Sequence, residues 1–297
     1  MSKLTDGQLQ PIEIDEARFL KDHFALPPLP EVATRIMEKI SSGDTGPREI
    51  AKLLSSDAAL VALVFKLVNS AYYSLPRRID QINQAVAFLG LAEINRLVMA
   101  LSVMKVLEPR KPSDFQDFWR HSFYSALISR SVARLFFRSL ELEGLYTAVL
   151  LHDIGKLVYM KFFPDHYSAL TEYSQGRRCF FYQAEERLGL PSHQRFGVLL
   201  CDRWQLPDTV SKACAFHELG QLRKVQIGEQ EEEFEVVAAV ANLMAHLADG
   251  TLTDDLKEAC RQEIQRVLDC SEEDFLIAMA EVYDLQDSVE NFLGQLR

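Results

Sequence analysis

Cysteine is scarce in this sequence, and none of it falls in the short paired spacings of disulfide scaffolds or cysteine zinc sites. An odd number of thiols without such spacings argues against both, so we expect reduced core residues at Cys179, Cys201, Cys214, Cys260 and Cys270. Long apolar runs are missing too, since none approaches the ~18 residues that cross a bilayer. The first residues lack the apolar stretch of a signal peptide. These absences predict a cytoplasmic protein that does not enter a membrane.

Basic clusters are also missing. The 297 residues carry 32 lysines and arginines against 43 aspartates and glutamates, which gives a formal net charge of -11. The average surface therefore repels phosphate backbones and anionic lipid. The short basic stretches "PRKP" (Pro109 to Pro112) and "GRR" (Gly176 to Arg178) are too small to offset that charge, and the sequence has no glycine-rich phosphate loop. We expect no nucleic-acid partner.

Apolar residues, by contrast, make up 48% of the chain and recur at spacings of three and four, which is the helical period. Strand-type alternation is nearly absent, so the sequence predicts an all-α fold with proline and glycine at the breaks. One predicted helix, Leu145 to Phe163, is apolar almost all round and must be buried. The helices predicted to carry other histidines are Phe115 to Leu140, Ser192 to Trp204, Asp208 to His217 and Phe234 to Ala248.

The stretch "LLHDIGK" (Leu150 to Lys156) places a histidine beside an aspartate inside that buried helix. Neighbouring side chains on a helix point about 100° apart, so His152 and Asp153 could both reach one ion against the helix flank. Lys156 follows Asp153 by three residues and shares its face. A buried carboxylate without a partner is costly. Two interpretations stay open: a metal site, or an Asp153–Lys156 pair beside a hydrogen-bonded core histidine.

Three other segments bring histidines toward the core. Asp117 and His121 are four residues apart on one stripe, and His193 begins an apolar helix. His217 lies at a helix end, where it could instead cap the helix. Separate helices that each contribute a histidine or a His–Asp pair suit nitrogen and oxygen ligation of a transition metal. Ordinary polar or helix-surface roles are expected for the remaining histidines, His23, His166 and His246.

The order of His121, the "HD" pair followed by "GK", then "HQRFG" and "FHE", resembles the HD superfamily of metal-dependent phosphohydrolases. A more specific resemblance, over roughly Phe24 to Glu218, is to the HDOD domain, the HD-related output domain of bacterial signalling proteins. It rests on five ordered motifs: "LPPLPEVATRIMEKI", "REIAKLLSSDAALVALVFKLVNSAYYS", "INQAVAFLGLAEINRLVMA", "LLHDIGKLV" and "CDRWQLPDTVSKACAFHE".

The resemblance implies a two-lobed helical bundle with an HD-like core in the second lobe. It also divides the chain into three parts. We expect an N-terminal helical extension at residues 1–23, the HDOD domain at 24–220, and a C-terminal helical segment at 221–297 that packs on the HD-like core.

The chain departs from catalytic members of the superfamily at two positions. Phe216 replaces the first histidine of their "HHE" motif, and Asn242 stands where a later helix carries an aspartate. Two lost ligands lower both the affinity and the number of ions held. The site could hold one divalent transition metal ion (Fe, Mn, Ni or Zn) and is poorly equipped for two. The resemblance implies as ligands His121, His152, Asp153, His193 and His217, with Asp117 and Asn242 beside them.

These departures favour a bacterial signal-transduction protein that uses a degenerate HD-type domain as a regulatory or interaction module. Its partner would be another signalling protein, or a second copy of the chain in a homodimer. The alternative is a metal-dependent phosphohydrolase acting on nucleotides or cyclic dinucleotides. In that case Asp153 and Lys156 are the catalytic candidates, because the lysine could hold a substrate phosphate. Bridged metal pairs make the nucleophile in such enzymes, and the reduced ligand set disfavours such a pair.

Overall fold

The computed structural model describes residues 12, 27–69, 75–108, 112–137, 144–225, 233–287 and 289–290. Within these ranges the chain forms helices and no strand, which confirms the predicted all-α, two-lobed fold. Among the described residues, one compact unit consists of 27–108 with 284–290, and the other contains 112–283. The N-terminal extension predicted at residues 1–23, which includes His23, lies outside the described residues.

The smaller unit packs one long helix, α4, against three shorter ones. These helices are α1 (Glu31–Ser41), α2 (Pro47–Leu54), α3 (Ala58–Val68) and α4 (Ile82–Val106). α4 bends at Gly90, whose φ of 78° glycine adopts without strain. Its window Ile82–Val103 has a mean hydropathy of 1.6, enough by length and composition for a membrane span, but half of the window is buried in the protein. Polar residues such as Glu93 and Arg96 interrupt this stretch, so the sequence contains no long uninterrupted apolar run.

The larger unit carries the candidate metal ligands. Its helices are α5 (Pro112–Phe136), α6 (Leu145–Leu150), α7 (Ile154–Phe162), α8 (Pro164–Arg177), α9 (Phe181–Leu188), α10 (His193–Trp204), α11 (Asp208–Ala215), α12 (Leu219–Leu222), α13 (Glu233–Asp249), α14 (Asp254–Leu268) and α15 (Glu272–Asp284). α13 is buried at every position from Val236 to Ala245 and lies against α5. The Tyr124 hydroxyl on α5 donates to the Val282 carbonyl (2.7 Å), which joins α15 to the same core.

The single helix predicted from Leu145 to Phe163 is wrong, because the chain turns at residues 151–153 and forms α6 and α7 instead. After the turn, Gly155 meets the backbone of α10. A Cβ atom at Gly155 would lie 1.7 Å from the His193 carbonyl oxygen and 2.7 Å from the Gly197 nitrogen. Only glycine permits this contact. Apolar residues at helical spacing continue on both sides of the turn, so the periodicity of the sequence does not reveal the break in the helix.

Substitution of Gly155 by alanine should therefore destabilise the protein severely. The added methyl group has no space between two backbones, and we expect a loss of about 3 kcal/mol or more in the free energy of unfolding. Gly176→Ala is the matched control, since a Cβ there meets no atom within 4 Å and alanine is the better helix former by about 1 kcal/mol at most. Chemical denaturation of both variants measures the difference. Equal stability of the two variants would contradict the close contact of α7 with α10.

Candidate metal centre

The turn between α6 and α7 presents His152 and Asp153 side by side, each 1% exposed. The Nδ1 atom of His152 donates to the Val149 carbonyl (2.6 Å). That carbonyl is in the last turn of α6, where backbone acceptors lack partners within the helix. The histidine therefore completes the end of α6, and the turn directs both side chains into the core of the larger unit.

Two further histidines approach Asp153 from the ends of other helices. His193 is the first residue of α10, and His217 follows the end of α11. Their Nε2 atoms lie 3.0 Å apart, and they are 3.2 Å and 3.4 Å from Asp153 Oδ1. All three side chains are buried, and each offers one ligand atom within 4.8 Å of the other two. We call Asp153, His193 and His217 the inner set.

A second group shares the same carboxylate. The Nε2 atoms of His121, on α5, and His152 lie 3.7 Å and 3.4 Å from the other oxygen, Asp153 Oδ2. These ligand atoms also lie within 4.8 Å of one another, and we call His121, His152 and Asp153 the outer set. The structure thus brings the four histidine candidates from the sequence around the fifth candidate, Asp153.

The inner set has the donor arrangement of a metal site. His193 Nδ1 lies 2.9 Å from Glu185 Oε2, and His217 Nδ1 lies 2.9 Å from the Ala213 carbonyl oxygen. Both partners only accept, so each Nδ1 carries a hydrogen. When the ring has no proton on Nε2, the lone pair of that atom faces Asp153. Histidines that bind metals usually donate their other ring N–H in this way.

The spacing of the inner set also fits an ion. Its three ligand atoms are separated by 3.0, 3.2 and 3.4 Å. Ligands at about 2.1 Å from a tetrahedral ion would be roughly 3.4 Å apart. Asp153 Oδ1 is buried without a well-aligned hydrogen-bond donor. A bound cation would satisfy that oxygen, so the residues present fit a divalent transition metal.

In the outer set, Asn242 on α13 determines which nitrogen of the His121 ring carries a hydrogen. The amide Nδ2 of Asn242 donates to the His217 carbonyl (2.7 Å), so its Oδ1 faces His121 Nε2 at 2.8 Å. An amide oxygen only accepts, and His121 Nε2 must therefore carry a hydrogen. Burial lowers the pKa of His121 to about 3, so the ring is neutral. Its Nε2 atom is consequently used as a donor and has no lone pair for an ion.

The other partner of the outer set is Lys156, whose Nζ donates to Asp153 Oδ2 at 2.6 Å. Burial alone would raise the pKa of Asp153, but the charge of Lys156 and the contacts with His152 and His193 together outweigh it and hold the pKa well below the usual value. The ion pair that the sequence left as an alternative is therefore present beside the histidine cluster. It occupies the carboxylate oxygen that the outer set would offer to an ion.

Two buried carboxylates complete the centre and were not predicted as site residues. Glu185 binds His193, and Glu218 Oε1 lies 3.4 Å and 3.5 Å from the Nε2 atoms of His193 and His217. Burial would lower the pKa of His193, but the surrounding carboxylates, Glu185 foremost, raise it well above the usual value. Glu185 could have been found from the sequence, because it stands on the apolar face of α9 in line with Phe181 and Ala184.

Some expectations from the sequence are wrong. His246 is not a surface histidine: it is half-buried, with its ring centroid 4.5 Å from that of His121, because α13 packs against α5. Asp117 does not lie beside the ligands, since its side chain is 72% exposed and pairs with Arg120 at 3.4 Å.

Phe216, which stands where catalytic members carry the first histidine of their motif, lies at the end of α11 and is half-buried.

Comparison with known proteins decides the family. The HDOD domain family matches residues 26–219 of the 297. The chain belongs to the HDOD family. This HDOD chain is 25% identical over 228 residues to an uncharacterized protein of Treponema pallidum, a match that covers 76% of this chain and 43% of that protein. It therefore spans less than half the length of the curated relative that it matches.

Solved structures share the fold of this HDOD chain. A Geobacter sulfurreducens HDOD domain protein of unknown function superposes with a TM-score of 0.68 at 25% identity, covering 94% of this chain and 96% of that one. A Shewanella amazonensis protein, provisionally named a phosphohydrolase, gives 0.70 at 22% identity and covers 95% and 98%. A provisionally named signal transduction protein from Marinobacter aquaeolei gives 0.70 at 20% identity and covers 98% and 68%. The last two establish a shared fold alone.

The Asn242 bridge predicts a cost for Asn242→Asp in the metal-free protein. The substitution removes the amide donor and turns a carboxylate oxygen toward the His217 carbonyl, now 2.7 Å from Nδ2. We expect a loss of about 1–3 kcal/mol in the free energy of unfolding, measured by denaturation with a chelator present. The same change at exposed Asn83 should stay within about 0.5 kcal/mol. Unaltered stability of the Asn242 variant would contradict the bridge.

Proposed function

We propose that this HDOD chain is a signal-transduction module whose degenerate HD-type centre binds one divalent transition metal ion in the inner set and does not hydrolyse phosphate esters. The observation that carries the proposal is the difference between the two sets. In the inner set, both histidines have committed Nδ1 to other acceptors, which leaves Nε2 of each, once His193 releases its second ring proton, for an ion beside Asp153 Oδ1. Its three ligand atoms are therefore directed at one another.

The outer set has too few free ligand atoms to bind a second ion, and this supports a centre with a single ion. His121 Nε2 donates to Asn242, and Asp153 Oδ2 accepts from Lys156. Of the ligand atoms in the outer set, His152 Nε2 alone is buried without a hydrogen-bond partner, and one imidazole does not make a site. A second cation there would also face the ammonium of Lys156. An aspartate that bridges two ions must give each ion an oxygen, and here Lys156 uses one of them.

Burial of the inner set favours a regulatory role over catalysis. The side chains of Asp153, His193 and His217 are 0–1% exposed. A catalytic metal needs a position that water or substrate can reach, and the burial of these side chains closes the inner set to solvent. A bound ion would supply positive charge that joins the α6–α7 turn, the start of α10 and the end of α11. Occupancy would change the stability of the larger unit, and such a change can alter the affinity for a partner.

The phosphohydrolase alternative depends on one residue of this chain, Lys156. Lys156 is the residue that could hold a substrate phosphate. Its ammonium is only 2.6 Å from Asp153 Oδ2, and its side chain is 13% exposed. Moving it to a phosphate would leave a buried carboxylate unpaired, which is costly.

The proposal is tested by cobalt binding to two histidine variants. The parent should bind one Co²⁺ per chain and be stabilised by about 2.7 kcal/mol at a free concentration 100 times Kd. His217→Gln should lose this binding, whereas His121→Gln, which removes an imidazole from the outer set alone, should retain it. Metal content after dialysis and thermal shift measure both effects. Two ions per parent chain, or loss of binding in the His121 variant only, would contradict the inner-set assignment.

The same proposal predicts negligible hydrolysis of nucleotides and cyclic dinucleotides. Protein loaded separately with Mn²⁺, Fe²⁺ or Zn²⁺ should release phosphate, or open a cyclic dinucleotide, no faster than the Asp153→Asn variant. The reason is that the proposed centre holds one buried ion, whereas a bridged pair of ions makes the nucleophile in such hydrolases. Chromatographic product analysis is the measurement. Metal-dependent turnover that the Asp153 substitution abolishes would support the hydrolase alternative.

A further inference from the structure

Glu185 is a buried acid whose side-chain hydrogen bonds, among the described residues, all come from His193. Its Oε1 accepts the backbone N–H of His193 at 2.8 Å, and its Oε2 accepts the Nδ1–H of the same residue at 2.9 Å. The Glu185 side chain is 2% exposed. One carboxylate therefore holds both the main chain and the ring of a single inner-set histidine.

A carboxylate at this position is unfavourable unless it has such partners. Glu185 occupies the buried face of α9 beside Ala184, where an apolar side chain would pack without loss of hydration. Burying a carboxylate is costly unless it is paired and hydrogen-bonded. The two bonds to His193 offset that cost, so the placement of Glu185 and the orientation of His193 depend on each other.

Capping of α10 does not by itself account for Glu185. The helix already has an N-cap, Ser192, whose hydroxyl accepts from the Arg195 backbone N–H at 3.2 Å. The Glu185 bond to the His193 backbone adds to this cap. Its bond to the imidazole ring contributes nothing to helix ends and fixes only the direction of the ring.

We propose that Glu185 is a positioning residue of the inner set, which holds His193 with Nδ1 protonated and Nε2 directed at Asp153 Oδ1. The inference rests on the proposed function, because it assigns Glu185 to the same metal centre. With both contacts in place, His193 Nε2 stays 3.2 Å from Asp153 and 3.0 Å from His217. Without them the ring can rotate about its side-chain bonds and move Nε2 away from an ion.

The test compares Co²⁺ affinity in the full chain with Glu185→Gln and Ser192→Ala. The glutamine keeps the size of the side chain but can accept only one of the two bonds well. Loss of such an outer partner costs about 10- to 100-fold in metal affinity, and we expect Kd to rise by that factor, measured by competition with a chromophoric chelator. Ser192→Ala should lower the melting temperature of the metal-free protein and leave Kd unchanged.

The outcomes separate the two proposals. A parent chain that binds no Co²⁺ overturns both the proposed function and this inference. A parent that binds Co²⁺ with the same Kd as folded Glu185→Gln overturns the inference alone. If the glutamine variant does not fold, nitrogen NMR of the Zn²⁺-loaded parent decides: His193 protonated at Nδ1 and bound through Nε2 supports the positioning role, and the reverse assignment overturns it.

Discussion

The buried carboxylate of Asp153 is the group on which the arrangement of this centre depends. A carboxylate in a core needs compensating partners, and each of its oxygens has different ones. Oδ2 accepts from Lys156, whereas Oδ1 faces the imidazoles of His193 and His217. The turn before α7 and the glycine contact after it follow from the same requirement, because they bring α10 close enough for His193 to reach that oxygen.

In the proposed one-ion centre, Asn242 is a neutral residue that is itself well bonded. Asn242 satisfies both the carbonyl of His217 and the ring of His121. A buried polar group that is fully hydrogen-bonded stabilises one arrangement of its neighbours. The outer histidines therefore keep their places without an ion and serve as packing and hydrogen-bonding residues. This division of roles suits a module that responds to a ligand rather than one that turns over substrate.

Much of the fold and part of the site could be predicted from the sequence. Helical periodicity gives the all-α class, and the histidine motifs give residues that do lie together. The break before Gly155 could not be predicted, because apolar residues at helical spacing continue on both sides of His152 and Asp153. The position of His246 could not be predicted either, because it depends on tertiary packing. α13 lies against α5, and this contact brings His246 to His121. Glu185 was open to prediction as an acid on an apolar helix face, but its partner eight residues later was not.

The most direct measurement is anomalous X-ray scattering from crystals of the Co²⁺-loaded chain, recorded on both sides of the cobalt absorption edge. We expect one anomalous peak per chain, at about 2.0–2.2 Å from Asp153 Oδ1, His193 Nε2 and His217 Nε2. His121 Nε2 should remain bonded to Asn242. Two peaks bridged by Asp153, or a single peak between His121 and His152, would contradict the binding of one ion by the inner set.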